Sequence, residues 1–179
     1  LAVAAAALVL IVGSLLIGLL GDRAHAWQDA RDSAGAELSR LAVVAGRAGP
    51  PDRALLEALA ALATSDNRVV QALVVGADGQ VLASSRSATH GQAAAALADL
   101  DPTWLASLRP GDAPRERELH GPAHLLLARA FDVPAADGAA PGPRRGSALL
   151  QLDMTDTLAQ LGRDNLARHA WDVVWAIVA

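Results

Sequence analysis

In the stretch HLLLARAFDV, His124 to Val133, a single arginine sits among large apolar side chains. If the stretch is a strand, alternation places Arg129 on one face with Leu125, Leu127 and Phe131. There it either lays its stem along apolar surface or points into a cavity, where its paired donors would hold a carboxylate or phosphate. Arg68 and Arg86, at the two ends of a first hairpin, are further cations for such an anion, and Trp104 is a candidate pocket wall. His120 and His124 flank Gly121-Pro122 and could face each other across a second hairpin, as metal ligands do. No cysteine or evident carboxylate completes their set, because Glu116 and Glu118 belong to the alternating, solvent-facing run PRERELH. An exposed hairpin tip is the simpler reading, and neither metal nor cofactor is expected. Ser84 and Ser85 lack a Gly-x-Ser-x-Gly elbow and a base at defined spacing, so the chain is not expected to be an enzyme.

Composition narrows the classes further. The 179 residues contain no cysteine, which excludes disulfides and thiolate chemistry. They contain no lysine or tyrosine either. A formal net charge of -4, with no basic stripe, gives nucleic-acid binding no support. Leu1 to Leu20 carries no charge, and Ser14 is its one polar side chain. As a helix it would span roughly 30 Å, the hydrocarbon thickness of a bilayer. A second apolar run opens at Trp171 and continues to Ala179. Ala24-His25-Ala26 fits a signal-peptidase site, but the apolar run is longer than a signal core of roughly 7–15 residues. A retained membrane helix is therefore expected at residues 1–20, a domain at 21–170 and the start of a second membrane helix at 171–179. Trp171 and Trp175 suit the headgroup zone. The chain, which begins with Leu, reads as part of a longer protein.

Between these runs the periodicity changes several times. Asp22 to Arg47 reads as a long helix whose stripe is Ala24, Trp27, Ala30, Ala34, Leu38, Leu41 and Ala45. That stripe is also a candidate homodimer surface. Gly49-Pro50-Pro51 ends the helix, and Asp52 caps a second one to Ala63 with Leu55, Leu56, Leu59 and Leu62 inward. Arg68 to Val75 and Gln80 to Ser85 are strands joined by Ala77-Asp78-Gly79, whose Asp-Gly supplies a tight turn. Both faces of the first strand are apolar, as in a strand covered on both sides. Gln92–Leu100 and Pro102–Leu108 read as short helices, Asp101 capping the second. Arg115–Leu119 and Ala123–Val133 form the second hairpin, Pro134–Gly146 a loop, Ser147–Asp153 a fifth strand, and Met154–His169 a last helix. The fold class is α+β, with a small antiparallel sheet and a long N-terminal helix.

This order carries a resemblance. A membrane helix continues into a long helix and then VVQALVVGADGQVLASS; the strand SALLQLD runs through MTDTLAQLGRDNLARH into a second membrane run. The arrangement resembles the extracytoplasmic Cache or PDC-type sensor domains, PAS-like in fold, of bacterial membrane receptors. The amino-acid-binding subset of that family has a tyrosine-bearing signature, and this chain has no tyrosine. The resemblance implies a small-molecule ligand, with an organic anion as the candidate. It also implies a place in the bacterial inner membrane with the domain in the periplasm, and a relay to a histidine kinase, cyclic-di-GMP enzyme or chemoreceptor module. The alternative is a ligand-free periplasmic adaptor domain.

Overall fold

The computed structural model describes residues 2–47, 52–97, 100–133 and 144–178. Helix α1 is Ala2–Arg47, an uninterrupted helix of 46 residues. No proline interrupts it, so the apolar run and the long helix behind it form one element. Ala30, Ala34, Leu38, Leu41, Ala42 and Ala45 are buried, at the expected spacings of three and four. From Ala30 to Ala45 the stripe is thus buried within the chain. Ala24 is exposed, and Trp27 is half-buried with the Arg31 guanidinium 5.3 Å from its ring centre.

The chain divides into two units, Leu1–Arg31 with Met154–Ala179, and Asp32–Asp153. In the first, α4 (Thr155–Val178) carries a buried Asn165 whose amide donates to Asp22 Oδ2 at 3.0 Å. That partner is what makes a buried amide tolerable. Among the described residues no helix is long and apolar enough to cross a membrane. The side chains of residues 1–11 and 171–179, which hold much of both apolar runs and Trp171 and Trp175, lie outside the described ones.

The second unit holds, among the described residues, a five-stranded antiparallel sheet. Its strands are β1 (Val69–Val75), β2 (Val81–Ser84), β3 (Arg115–Leu119), β4 (Gly121–Val133) and β5 (Arg144–Asp153), in the order β2-β1-β5-β4-β3. Helix α2 (Arg53–Ala63) packs against β1 and β2. Asp52 caps it, its carboxylate accepting from Ala54 N at 3.1 Å and Leu55 N at 3.4 Å. Its buried stripe is Leu56, Ala60 and Ala63, whereas Leu55 and Leu62 are exposed. Both rows satisfy helical spacing, and small alanines let the helix approach the sheet on the second.

The expected helix from Gln92 to Leu100 is instead a bridge between Ala93 and Gln80 followed by a 3-10 turn, Ala94–Ala96; residues 98–99 lie outside the described ones. Tertiary hydrogen bonds override alanine's helix propensity here. Val81 N donates to Gln92 O at 2.9 Å, Gly91 N to Val81 O at 3.0 Å and Ala94 N to Gly79 O at 2.8 Å. A short helix α3, Pro102–Ala106, follows its Asp101 cap as expected. β4 begins at Gly121, because Leu119 pairs with Gly121 and leaves only His120 at the turn. β5 begins three residues early, at Arg144, with Gly146 opposite Phe131; residues 134–143 of the expected loop lie outside the described ones.

Two glycines carry the sheet geometry. Gly79 has φ +77 in the β1–β2 turn and open space around its Cα. Gly79→Val should therefore destabilise by about 1–2 kcal/mol through backbone strain alone, read by denaturant unfolding. A Cβ on Gly146 would lie within van der Waals overlap of the Phe131 ring and 2.8 Å from Val75 O. Gly146→Ala should cost about 1–3 kcal/mol by overpacking, and Phe131→Leu in the same chain should recover part of it. Unchanged unfolding in either glycine variant would contradict the assigned packing.

Candidate functional site

Strand register sorts every side chain in the sheet onto one of two faces. Ala72, Val74, Leu125, Leu127, Arg129, Phe131, Ala148, Leu150 and Leu152 share one. Arg129 stands with Leu125, Leu127 and Phe131 as alternation predicts, and is half-buried. Its Nη1 donates to Ser39 Oγ on α1 at 2.6 Å, and Ser39 Oγ donates to Gly35 O at 2.7 Å. Its guanidinium thus bonds sheet to helix on the α1 side.

The opposite face carries Gln71, Leu73, Val75, Ser84, Leu126, Ala128, Ala130, Ser147, Leu149 and Gln151. Leu73, Val75, Leu126, Ala128, Ala130 and Leu149 form a core there with Val81, Ala94, Leu100 and Leu108. Trp104 and Leu105 of α3 pack against that core, so Trp104 is on this side of the sheet.

Within this layer lies a cavity of about 200 Å³, lined by Gln71, Leu73, Arg86, Thr89, Leu97, Leu100, Leu126, Leu149 and Gln151. Gln71 and Gln151 are cross-strand partners, so two amides stand side by side on an otherwise apolar floor. Three hydroxyl bonds fix the turn that carries Arg86. Ser84 Oγ lies 2.6 Å from Thr89 Oγ1, Arg86 N donates to Ser84 Oγ at 3.0 Å, and Thr89 Oγ1 donates to Arg86 O at 2.9 Å. Gln71 Nε2 reaches Thr89 Oγ1 at 3.5 Å. Arg86 itself is exposed at the rim, and among the described residues its guanidinium makes no ion pair. An apolar pocket with amides, a hydroxyl and a cation converging on it suits a small anion with a hydrogen-bonding body.

The other sequence candidates lie elsewhere. Arg68 forms a fork with Asp66, Nε to Oδ1 at 3.0 Å and Nη2 to Oδ2 at 2.7 Å. That hydrogen bond to Arg68 holds the Asp66 carboxyl below its ordinary range, against a partial burial that raises it. Arg68 O accepts from Asp153 N at 2.8 Å, so the residue ties β1 to the end of β5. Asp101 is likewise lowered, first by the Thr103 N–H it caps, and Arg117 Nη1 donates to it at 3.0 Å. His124 Nε2 is 3.4 Å from Asp153 Oδ2 across the β4–β5 pair, and His120 is exposed at the tip. Among the described residues no three histidines or carboxylates cluster as a metal site would require. Ser85 Oγ accepts from Ala72 N at 3.0 Å, a structural bond.

Of the arginine candidates, then, Arg86 lines this cavity, while Arg129 is on the far side of the sheet. Gln71 and Gln151 escape a reading that searches for charge. Their signal is nonetheless present: each is the lone polar residue in an apolar strand run, VVQALVV and ALLQL.

No protein-family profile and no curated protein sequence matches the chain. Solved structures do match in shape. The sensor domain of Escherichia coli DcuS aligns at 12% identity and a TM-score of 0.45, over 73% of this chain and 96% of that one. The extracellular ligand binding receptor from Desulfohalobium retbaense DSM5692 aligns at 15% identity and a TM-score of 0.51, over 84% of this chain. The match spans 27% of that receptor's length. In fold, this chain is similar to the matched part of that receptor: an α+β domain with a long N-terminal helix and a five-stranded antiparallel sheet, the PAS-like arrangement.

Proposed function

We propose that the chain is the ligand-sensing part of a bacterial membrane receptor, and that its ligand is a small organic anion held in the Arg86 cavity. The observation that carries this is the convergence of Arg86, Gln71, Gln151 and Thr89 on one enclosed space beside the sheet. The likeness in fold to an extracellular ligand binding receptor supports a sensing role. The uncharged run Leu1–Leu20 and the second run from Trp171 support membrane attachment at both ends, with the sheet domain in the periplasm. An output module would then lie in sequence beyond the second run. Ser84 Oγ accepts from Arg86 N and Ser85 Oγ from Ala72 N, so both hydroxyls hold the backbone, in keeping with a binding role. A ligand acts by its difference in affinity between two arrangements of the domain. Contacts with Gln151 bear on β5, the strand that leads into α4.

Two experiments test this. Thermal unfolding of the chain in the presence of acetate, succinate, citrate or inorganic phosphate should show stabilisation by at least one. Arg86→Gln should weaken that anion about 10- to 100-fold, the loss of a hydrogen bond to a charged group at about 1.5–3 kcal/mol. Arg129→Ala should leave its affinity unchanged; the reverse pattern would move the site to the α1 face. Stabilisation by none of the four would favour the ligand-free adaptor. Separately, a topology reporter fused at Pro141 of the membrane-inserted chain should score as periplasmic, and a cytoplasmic score would end the receptor reading.

A further inference from the structure

The sheet face that carries the Arg86 cavity holds a second, larger one that shares no residue with it. This space, about 390 Å³, lies between the β1–β2 turn, the Gln80–Ala93 bridge, α3 and the β4–β5 pair. Small side chains hollow it out: Ala77, Ala94, Ala106 and Ala130 leave room that larger residues would fill. Its volume is within the range of drug-sized ligand sites.

Its polar groups are few and placed together. Ser147 on β5 is 9% exposed, and among the described residues its hydroxyl makes no hydrogen bond to protein. Ser147 is one of the residues that line the cavity. Arg145 is two positions earlier on the same strand, hence on the same face, and lines the mouth. A guanidinium and a hydroxyl so placed offer converging donors to one carboxylate. Asp78 is also at the mouth, its Oδ1 accepting from Gln80 N at 3.1 Å within the turn, and Asp132 is directly across from Arg145 in the β4–β5 register. These two negative charges oppose a second carboxylate on the ligand.

We infer that this cavity is a second ligand site, selective for a monocarboxylate with a branched aliphatic or aromatic body. The carboxylate bonds Arg145 and Ser147, and the body lies among Val75, Ala94, Leu105 and Leu108. The site does not depend on the Arg86 cavity, and the two can be separated by mutation.

The test is calorimetric titration of the full chain with 3-phenylpropionate and with 4-methylpentanoate, using 3-phenylpropan-1-ol as the uncharged control. Saturable binding of at least one acid is expected, with the alcohol at least tenfold weaker. Arg145→Gln, a change at an exposed position, should weaken the acid about tenfold or more. Ser147→Ala should weaken it severalfold, Ala106→Trp should block the mouth, and Arg86→Gln should change nothing. Absence of saturable binding by both acids overturns the proposal. So does binding that survives Arg145→Gln and Ser147→Ala unchanged, or that is lost with Arg86→Gln. Failure of the Arg86 site with small anions leaves these outcomes untouched, so the two readings fall separately.

Discussion

Everything in the sheet domain depends on β5. It is the middle strand, hydrogen-bonded to β1 on one side and β4 on the other, and Gly146 to Leu150 are buried without interruption. Because side chains alternate, its register alone decides which residues serve as helix-facing core and which as cavity floor. Ala148, Leu150 and Leu152 go to the α1 side; Ser147, Leu149 and Gln151 go to the other. A slip of one residue would exchange the two sets, placing Gln151 and Ser147 under α1 and a leucine where Gln151 lines the Arg86 cavity. Phe131 over Gly146 guards against that slip, since no other residue of β5 lacks the side chain its ring would meet.

The same logic separates what the sequence discloses from what it does not. Period-2 runs in VVQALVV and HLLLARAFDV are strong enough to predict β1 and β4, and Asp-Gly predicts the turn whose glycine has positive φ. Caps at Asp52 and Asp101 are legible because a carboxylate before a helix has a defined local task. Segments whose structure is imposed from a distance are not legible. The alanines after Gln92 look helical and are held as a bridge by bonds to Val81 and Gly79. The choice between two leucine rows on α2 rests on the fit to the sheet, which spacing cannot reveal.

The candidate site is legible only in part for a related reason. Alternation correctly groups Arg129 with Leu125, Leu127 and Phe131, but it does not say which of two covered faces that group is on. With Ser39 within hydrogen-bond reach on α1, the arginine has a partner inside the chain. Arg86 follows a strand, so its direction is set by the Ser84 and Thr89 hydroxyls, which a reading by charge passes over.

Polar side chains left facing enclosed space are the thread between fold and function. A core built for stability alone would put leucine or valine at positions 71, 147 and 151, where strand neighbours are apolar on both sides. A polar side chain at such a position is tolerable when it is bonded, as Gln71 is to Thr89 Oγ1 at 3.5 Å, and no enclosed side-chain nitrogen or oxygen among the described residues lacks a partner. Under the two proposals, the selectivity of both cavities would rest on the placement of a few hydrogen-bonding groups in β1 and β5. The strand that holds the sheet together is also the one that supplies Gln151 to one cavity and Ser147 to the other.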